Sequence, residues 1–140
     1  MRDIDILSIG EPMVEFNQTR PDEPGYLQGF GGDSSNMAIA AARAGARVAY
    51  YTRLGDDAFG RMFLDLWQGE RVDASAVGID AAAHTGVYFV THGASGHVFS
   101  YLRAGSAASR MAPADLPAAL LARARFVHAS GISLAISASA

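Results

Sequence analysis

Gly29-Phe30-Gly31-Gly32-Asp33-Ser34-Ser35-Asn36, followed by Met37-Ala38-Ile39-Ala40-Ala41-Ala42-Arg43-Ala44-Gly45 and then Val48-Ala49-Tyr50-Tyr51-Thr52, is the stretch that decides the fold. It reads as a glycine-rich loop, a helix, a turn and a strand. Asp33 or Ser34 is placed to act as N-cap, accepting from the first free backbone N–H groups. The alanines let the helix lie close to a sheet, and Gly45 suits the position just past its C-terminus.

Working outward, Ile4-Asp5-Ile6-Leu7-Ser8-Ile9 is a mostly apolar run that stops at Gly10-Glu11-Pro12. Such runs suit a strand of a parallel sheet buried on both faces. Residues 13–30 are mixed in pattern, with turns at Pro21, Pro24 and Gly25, and short strands there suit a separate small sheet. Downstream, Gly55-Asp56-Asp57 predicts a turn and a cap for a second helix ending near Gly69. Its Phe59, Met62, Phe63, Leu66 and Trp67 fall on one helical stripe. Strand and helix alternate, which predicts an α/β domain with right-handed crossovers.

The character changes in the middle. Residues 85–91 and 97–103 are β-rich and joined by His92-Gly93-Ala94-Ser95-Gly96, which reads as a hairpin loop. Adjacent antiparallel strands do not belong in a doubly wound core, so they are expected as a flap or lid. Pro113-Ala114-Asp115 is expected to start a helix running to about Ala122, followed by a strand at Phe126-Val127-His128-Ala129 and a loop at Ser130-Gly131-Ile132-Ser133. Residues 134–140 carry no charge, cap or stop signal, as expected of a chain interrupted within a domain. Residues 1–140 therefore read as part of one domain with an appendage.

Composition narrows the function. Half of the 140 residues are apolar and 18% are charged, ordinary for a folded chain. The net charge of −3, the absence of lysine and the scattered arginines argue against a nucleic-acid partner. There is no cysteine for a disulfide or thiolate metal site. No apolar run approaches the roughly 20 residues of a membrane helix, and the acidic Met1–Asp5 start is not a secretory signal. No membrane partner and a cytoplasmic location are the expectation.

The strongest chemical signal is Gly31-Gly32-Asp33-x-x-Asn36. Paired glycines let a ligand approach the backbone, and the helix behind them offers N–H groups. Asp33 and Asn36 suit hydroxyls, which both donate and accept, better than an anion. The same pattern also fits a plain strand-to-helix turn with an aspartate cap. It is neither a Walker-type loop nor a dinucleotide fingerprint. In the hairpin, Phe99, Tyr101 and Arg103 share a face, as do Gly86, Tyr88 and Val90 on the partner strand. Two tyrosines and an arginine could close over a polar ligand, or could be an exposed sheet face with an aromatic cross-strand pair. His84, His92, His97 and His128 lack metal-ligand spacing, and no metal site is expected.

Gly10-Glu11, Gly31-Gly32-Asp33-Ser34-Ser35-Asn36-Met37-Ala38 and Leu54-Gly55-Asp56-Asp57-Ala58-Phe59-Gly60, in that order, resemble the ribokinase-like carbohydrate kinases. Gly29-Phe30-Gly31-Gly32-Asp33, Tyr101-Leu102-Arg103-Ala104-Gly105-Ser106-Ala107-Ala108-Ser109-Arg110 and His128-Ala129-Ser130-Gly131-Ile132 look most like the 2-keto-3-deoxygluconate kinases within that family. The resemblance implies a partial three-layer α/β/α core with a small β-sheet lid. The lid strands would lie within residues 13–30 and 85–103 and often pair with a second subunit's lid, making a homo-oligomer.

It further implies that Gly32, Asp33 and Asn36 meet substrate hydroxyls from the core, while Tyr88, Tyr101 and Arg103 meet the sugar from the lid. Arg103 would favour a sugar acid, since a guanidinium fork matches a carboxylate. The implied activity is phosphorylation of that acid by ATP with Mg²⁺. The catalytic base and the anion hole, in a Gly-Ala-Gly-Asp segment, are expected beyond residue 140, so no catalytic residue is assigned here and this chain alone is expected not to turn over. The alternatives are a fructokinase, ribokinase or nucleoside kinase of the same family, or a non-catalytic sugar-binding or dimerisation module.

Overall fold

In the computed structural model, which describes residues 2–140, strand β1 (Ile4–Ile9) is the centre of a three-stranded parallel sheet. It pairs on one side with β4 (Val48–Tyr51) and on the other with β9 (Ala124–Ala129). Side chains alternate along each strand, so the two faces of the sheet build two cores. Val48 and Tyr50 pack with Ala38 of helix α1 (Asp33–Arg43) and with Phe63 and Trp67 of helix α2 (Ala58–Gly69). Ala49, Tyr51, Ile4 and Leu7 pack with Ala108, Met111 and Leu120, the last in helix α3 (Ala118–Arg123). Helices thus cover both faces, giving the expected three layers.

A second sheet has four strands: β2 (Met13–Gln18), β3 (Tyr26–Gly31), β7 (Val87–Gly93) and β8 (Gly96–Leu102). Their order is β3-β2-β7-β8, with β2 parallel to β7 and the outer pairs antiparallel. A short parallel pair, β5 (Arg53–Gly55) and β6 (Gly78–Asp80), lies beside the core. The hairpin strands run through Gly93 and Gly96, so the turn between them is only Ala94-Ser95. The face carrying Phe16 and Phe89 stacks ring on ring and meets Phe59 of α2 edge-on. The opposite face is turned toward the start of α1.

Helix α2 begins as its sequence predicts: Asp57 caps it, Oδ1 accepting from the Gly60 N–H at 2.7 Å. Its other oxygen accepts from the Thr85 N–H at 2.8 Å, tying the helix start to the entry of β7. Three expectations need correction. The glycine-rich loop is not a loop, because Gly29, Phe30 and Gly31 finish β3, paired with Glu15, Val14 and Met13. Neither Asp33 nor Ser34 is the N-cap of α1; Gly32 is, without a side-chain bond, and Asp33 instead accepts from the Ser34 N–H. The helix expected from Pro113 to about Ala122 is broken into a 3-10 turn at Pro113–Asp115 and α3. Leu116, before Pro117, is pushed to an extended conformation, φ −61° and ψ 130°.

Candidate functional site

A buried hydroxyl network holds the first turn of α1 against β1 and β4. Ser8 Oγ donates to the Ser34 carbonyl at 3.0 Å, and Ser34 Oγ lies 2.9 Å from Tyr50 Oη. The Trp67 indole N–H donates to Ser35 Oγ at 2.9 Å. Burial pushes the Tyr50 phenol well above its ordinary value, so it stays a neutral hydroxyl. With Ser34 and Ser35 fixed inward, Asp33 is left at the surface of the helix N-terminus, facing the lid.

Between that N-terminus and the lid is a cavity of about 180 Å³. Gly32 and Asp33 line its core side; Tyr88, Tyr101 and Arg103 line its lid side. The strand register explains the lid group: Tyr88 is directly opposite Tyr101, their rings 5.8 Å apart, and Arg103 lies over the Tyr101 ring at 5.8 Å. Five of the residues singled out from the sequence therefore meet in one place. Asn36 does not join them. It lines a separate depression with Ile39, Arg43 and Glu70, one helical turn further from the lid.

Two of these side chains arrive with partners that sequence reasoning missed. The Tyr88 hydroxyl donates to Glu15, its neighbour across the β2–β7 pair. Burial first, and then this carboxylate, push the Tyr88 phenol well above its ordinary range. The Arg103 guanidinium is in ion-pair contact through Nη2 with Oε2 of Glu11, a carboxylate only 3% exposed. Ser106 Oγ donates to Glu11 Oε1 at 2.6 Å. No local pattern could have shown these contacts, since Glu11 meets groups from the far end of the hairpin; the cues to Glu11 itself were its place between Gly10 and Pro12 and the Gly10-Glu11 resemblance.

The cavity therefore holds two carboxylates, Glu11 and Asp33, and one cation, Arg103. Aromatic faces, carboxylates and a guanidinium around a small cavity are suited to a compact ligand rich in hydroxyls. Among the described residues no group of three or more His, Asp or Glu converges to hold a metal ion. The side chains lining this cavity, with a paired carboxylate and aromatic rings and no convergent acidic cluster, do not fit Mg²⁺ or ATP. No helix among the described residues is long and apolar enough to cross a membrane.

Fold and cavity together define an α/β domain with a second, four-stranded sheet closing one side of a small pocket lined by aromatic rings, carboxylates and a guanidinium. Residues 3–140 match the pfkB family carbohydrate kinases. The chain belongs to that family. It is 40% identical over 146 aligned residues to the 2-dehydro-3-deoxygluconokinase of Thermoproteus tenax, covering 98% of this chain and 44% of the relative. It is 36% identical to fructokinase-2 of Solanum habrochaites, covering 94% of this chain and 42% of that one. Among solved structures, the PfkB protein from Polaromonas sp. JS666 superposes with a TM-score of 0.92 at 36% identity, over 97% of this chain and 48% of that one. The chain thus spans less than half the length of these relatives.

Proposed function

We propose that the protein to which this chain belongs is an ATP-dependent sugar kinase acting on 2-keto-3-deoxygluconate, and that residues 1–140 supply the sugar-holding half of its site. The observation that carries this reading is the meeting of Gly32 and Asp33 with Tyr88, Tyr101 and Arg103 in one small cavity. In this reading Asp33 accepts from ligand hydroxyls, the two tyrosines supply a flat wall, and Arg103 favours the carboxylate end. The likeness to the Thermoproteus tenax enzyme supports the sugar acid. ATP and Mg²⁺ are supplied elsewhere in the whole protein. Burial of the hydroxyl to be phosphorylated under the lid excludes competing water.

A second reading, a neutral ketose such as fructose, is favoured by one specific observation. Arg103 is already charge-paired by Glu11, and Asp33 adds a second negative charge to the cavity. An incoming carboxylate meets less net attraction than a free guanidinium would give. The fructokinase relative is consistent with this reading.

The two are separated by kcat/KM of the full-length protein on 2-keto-3-deoxygluconate and on fructose, each with ATP. The first reading expects the acid to be preferred and Arg103→Met to lose mainly the acid. Preference for fructose, unchanged in Arg103→Met, would establish the second.

A further inference from the structure

His92 and His97 have a spacing along the chain that carries no metal signature, yet the fold brings their rings together. The hairpin turns within Ala94-Ser95, so His92 on β7 is directly opposite His97 on β8. The His92 backbone N–H donates to Gln18 Oε1 at 2.9 Å, away from β8. The two histidines are therefore a non-hydrogen-bonded pair, the kind in which facing side chains come closest. Their rings stand nearly perpendicular with centroids 4.8 Å apart, and the two Nδ1 atoms are 2.8 Å apart. The far side of the contact settles where its protons are. Asn17 Nδ2 donates to Glu15 Oε1 at 3.4 Å, and a carboxylate only accepts, so it is Asn17 Oδ1 that turns to His92. His92 Nε2, 2.8 Å from that oxygen, carries the proton. The neutral His92 ring thus aims a bare Nδ1 lone pair at His97, and a single proton, on His97 Nδ1, fills the space between them.

We propose that His92 and His97 form a site for a borderline divalent transition ion such as Zn²⁺ or Cu²⁺, held by Nδ1 of both rings and completed by water. A histidine that ligates a metal almost always donates its other ring N–H to an oxygen that fixes its tautomer and orientation. Asn17, itself held by Glu15, does this for His92. His97 is exposed and His92 half-buried, so an ion reaches both from solvent. No proton has to be lost, because the one on His97 Nδ1 passes through solvent to Nε2 of the same ring. Zn–N bonds of about 2.0–2.1 Å at a tetrahedral angle place two nitrogens roughly 3.3 Å apart. The 2.8 Å pair therefore opens by about 0.5 Å, a small movement for two side chains beside an exposed turn. Imidazole pairs select such ions over Mg²⁺. The site is four residues along each strand from Tyr88 and Tyr101, outside the cavity they line, and is independent of the sugar bound there. An ion here would tie β7 to β8 at the tip of the lid.

The test uses full-length protein freed of metal by a chelator. Zn²⁺ alone is titrated by calorimetry, and Cu²⁺ by electron paramagnetic resonance, whose nitrogen hyperfine pattern counts the rings bound. The wild type is expected to bind an ion with two coordinated nitrogens, and excess Mg²⁺ to leave both signals unchanged. His92→Ala and His97→Ala are each expected to abolish the two-nitrogen signal, with circular dichroism confirming that the fold is kept. Asn17→Ala should weaken Zn²⁺ binding about tenfold, as loss of a group that orients a ligand does. Zn²⁺ binding of equal affinity in the wild type and both histidine variants, or none by the wild type, would overturn the proposal. Unchanged affinity in Asn17→Ala would overturn the part given to Asn17.

Discussion

Replacing Gly32 by alanine is expected to damage both fold and site, and the size of the effect can be worked from the backbone. Gly32 has φ 99° and ψ 116°, a conformation that L-residues rarely adopt. Forcing alanine into it costs about 1–3 kcal/mol. The added Cβ would also lie 2.6 Å from the Glu11 carbonyl oxygen and 2.9 Å from the Pro12 Cα, both backbone atoms that no rotamer change can move. Relieving that overlap is worth a further ~1–3 kcal/mol, so the whole cost is roughly 2–6 kcal/mol. Gly45 provides the control. Its φ is 96°, but a Cβ there meets nothing within 4 Å. Gly45→Ala should therefore lose only the conformational part, about 1–2 kcal/mol. Urea denaturation followed by fluorescence measures both, since Trp67, the one tryptophan of residues 1–140, lies in the core against Tyr50. At about 3 °C per kcal/mol, Gly32→Ala should melt roughly 6–18 °C below wild type. Relief by moving Glu11 should also weaken sugar binding, which Gly45→Ala leaves alone. Equal destabilisation by the two substitutions, with sugar binding intact in both, would refute the reasoning.

Other predictions concern the α2 cap and the lid edge. Asp57→Ala removes the cap on Gly60 and leaves the Thr85 N–H without its acceptor, for a loss of about 2–4 kcal/mol in urea denaturation. Burial alone would raise the Asp57 carboxyl, but the N–H donors of Thr85 and Gly60 outweigh it and hold it below its ordinary 3.8. Its contribution is therefore full above about pH 4 and is lost as pH falls through the lowered value, so the gap between wild type and Asp57→Asn should hold from pH 7 to 5 and shrink below pH 4. β8 is the outer strand of the lid, and Val98 and Leu102 on it are more than half exposed. An edge of this kind supports pairing with a second copy of the lid, and Leu102→Lys should lower the light-scattering mass of the full-length protein from dimer to monomer; a wild-type monomer would contradict that pairing.

Much of the architecture could be read locally because it depends on short-range periodicity. The α2 stripe from Phe59 to Trp67 and its Asp57 cap obey a period and a capping rule that need only neighbouring residues. The Tyr88–Tyr101 face followed from the period-2 alternation of two strands joined by a short turn. What sequence missed depends on distant partners. Gly29 to Gly31 look like a loop until β2 pairs with them, and the α3 region looks like one helix until Pro117 is weighed against the residue before it. In the site, residue type pointed to Gly32, Asp33, Tyr88, Tyr101 and Arg103, but Asn36 lines a different depression, because three residues along the helix displace it by about 4.5 Å along the axis. Glu11 stayed hidden because its partners, Arg103 and Ser106, are brought to it only when the lid folds back on the core.

The most direct test of the central claim is a crystal structure of the full-length protein soaked with 2-keto-3-deoxygluconate or fructose in the absence of nucleotide. The account predicts sugar density between Gly32 and Asp33 on one side and Tyr88, Tyr101 and Arg103 on the other. Sugar bound elsewhere, with this cavity filled only by solvent, would contradict it.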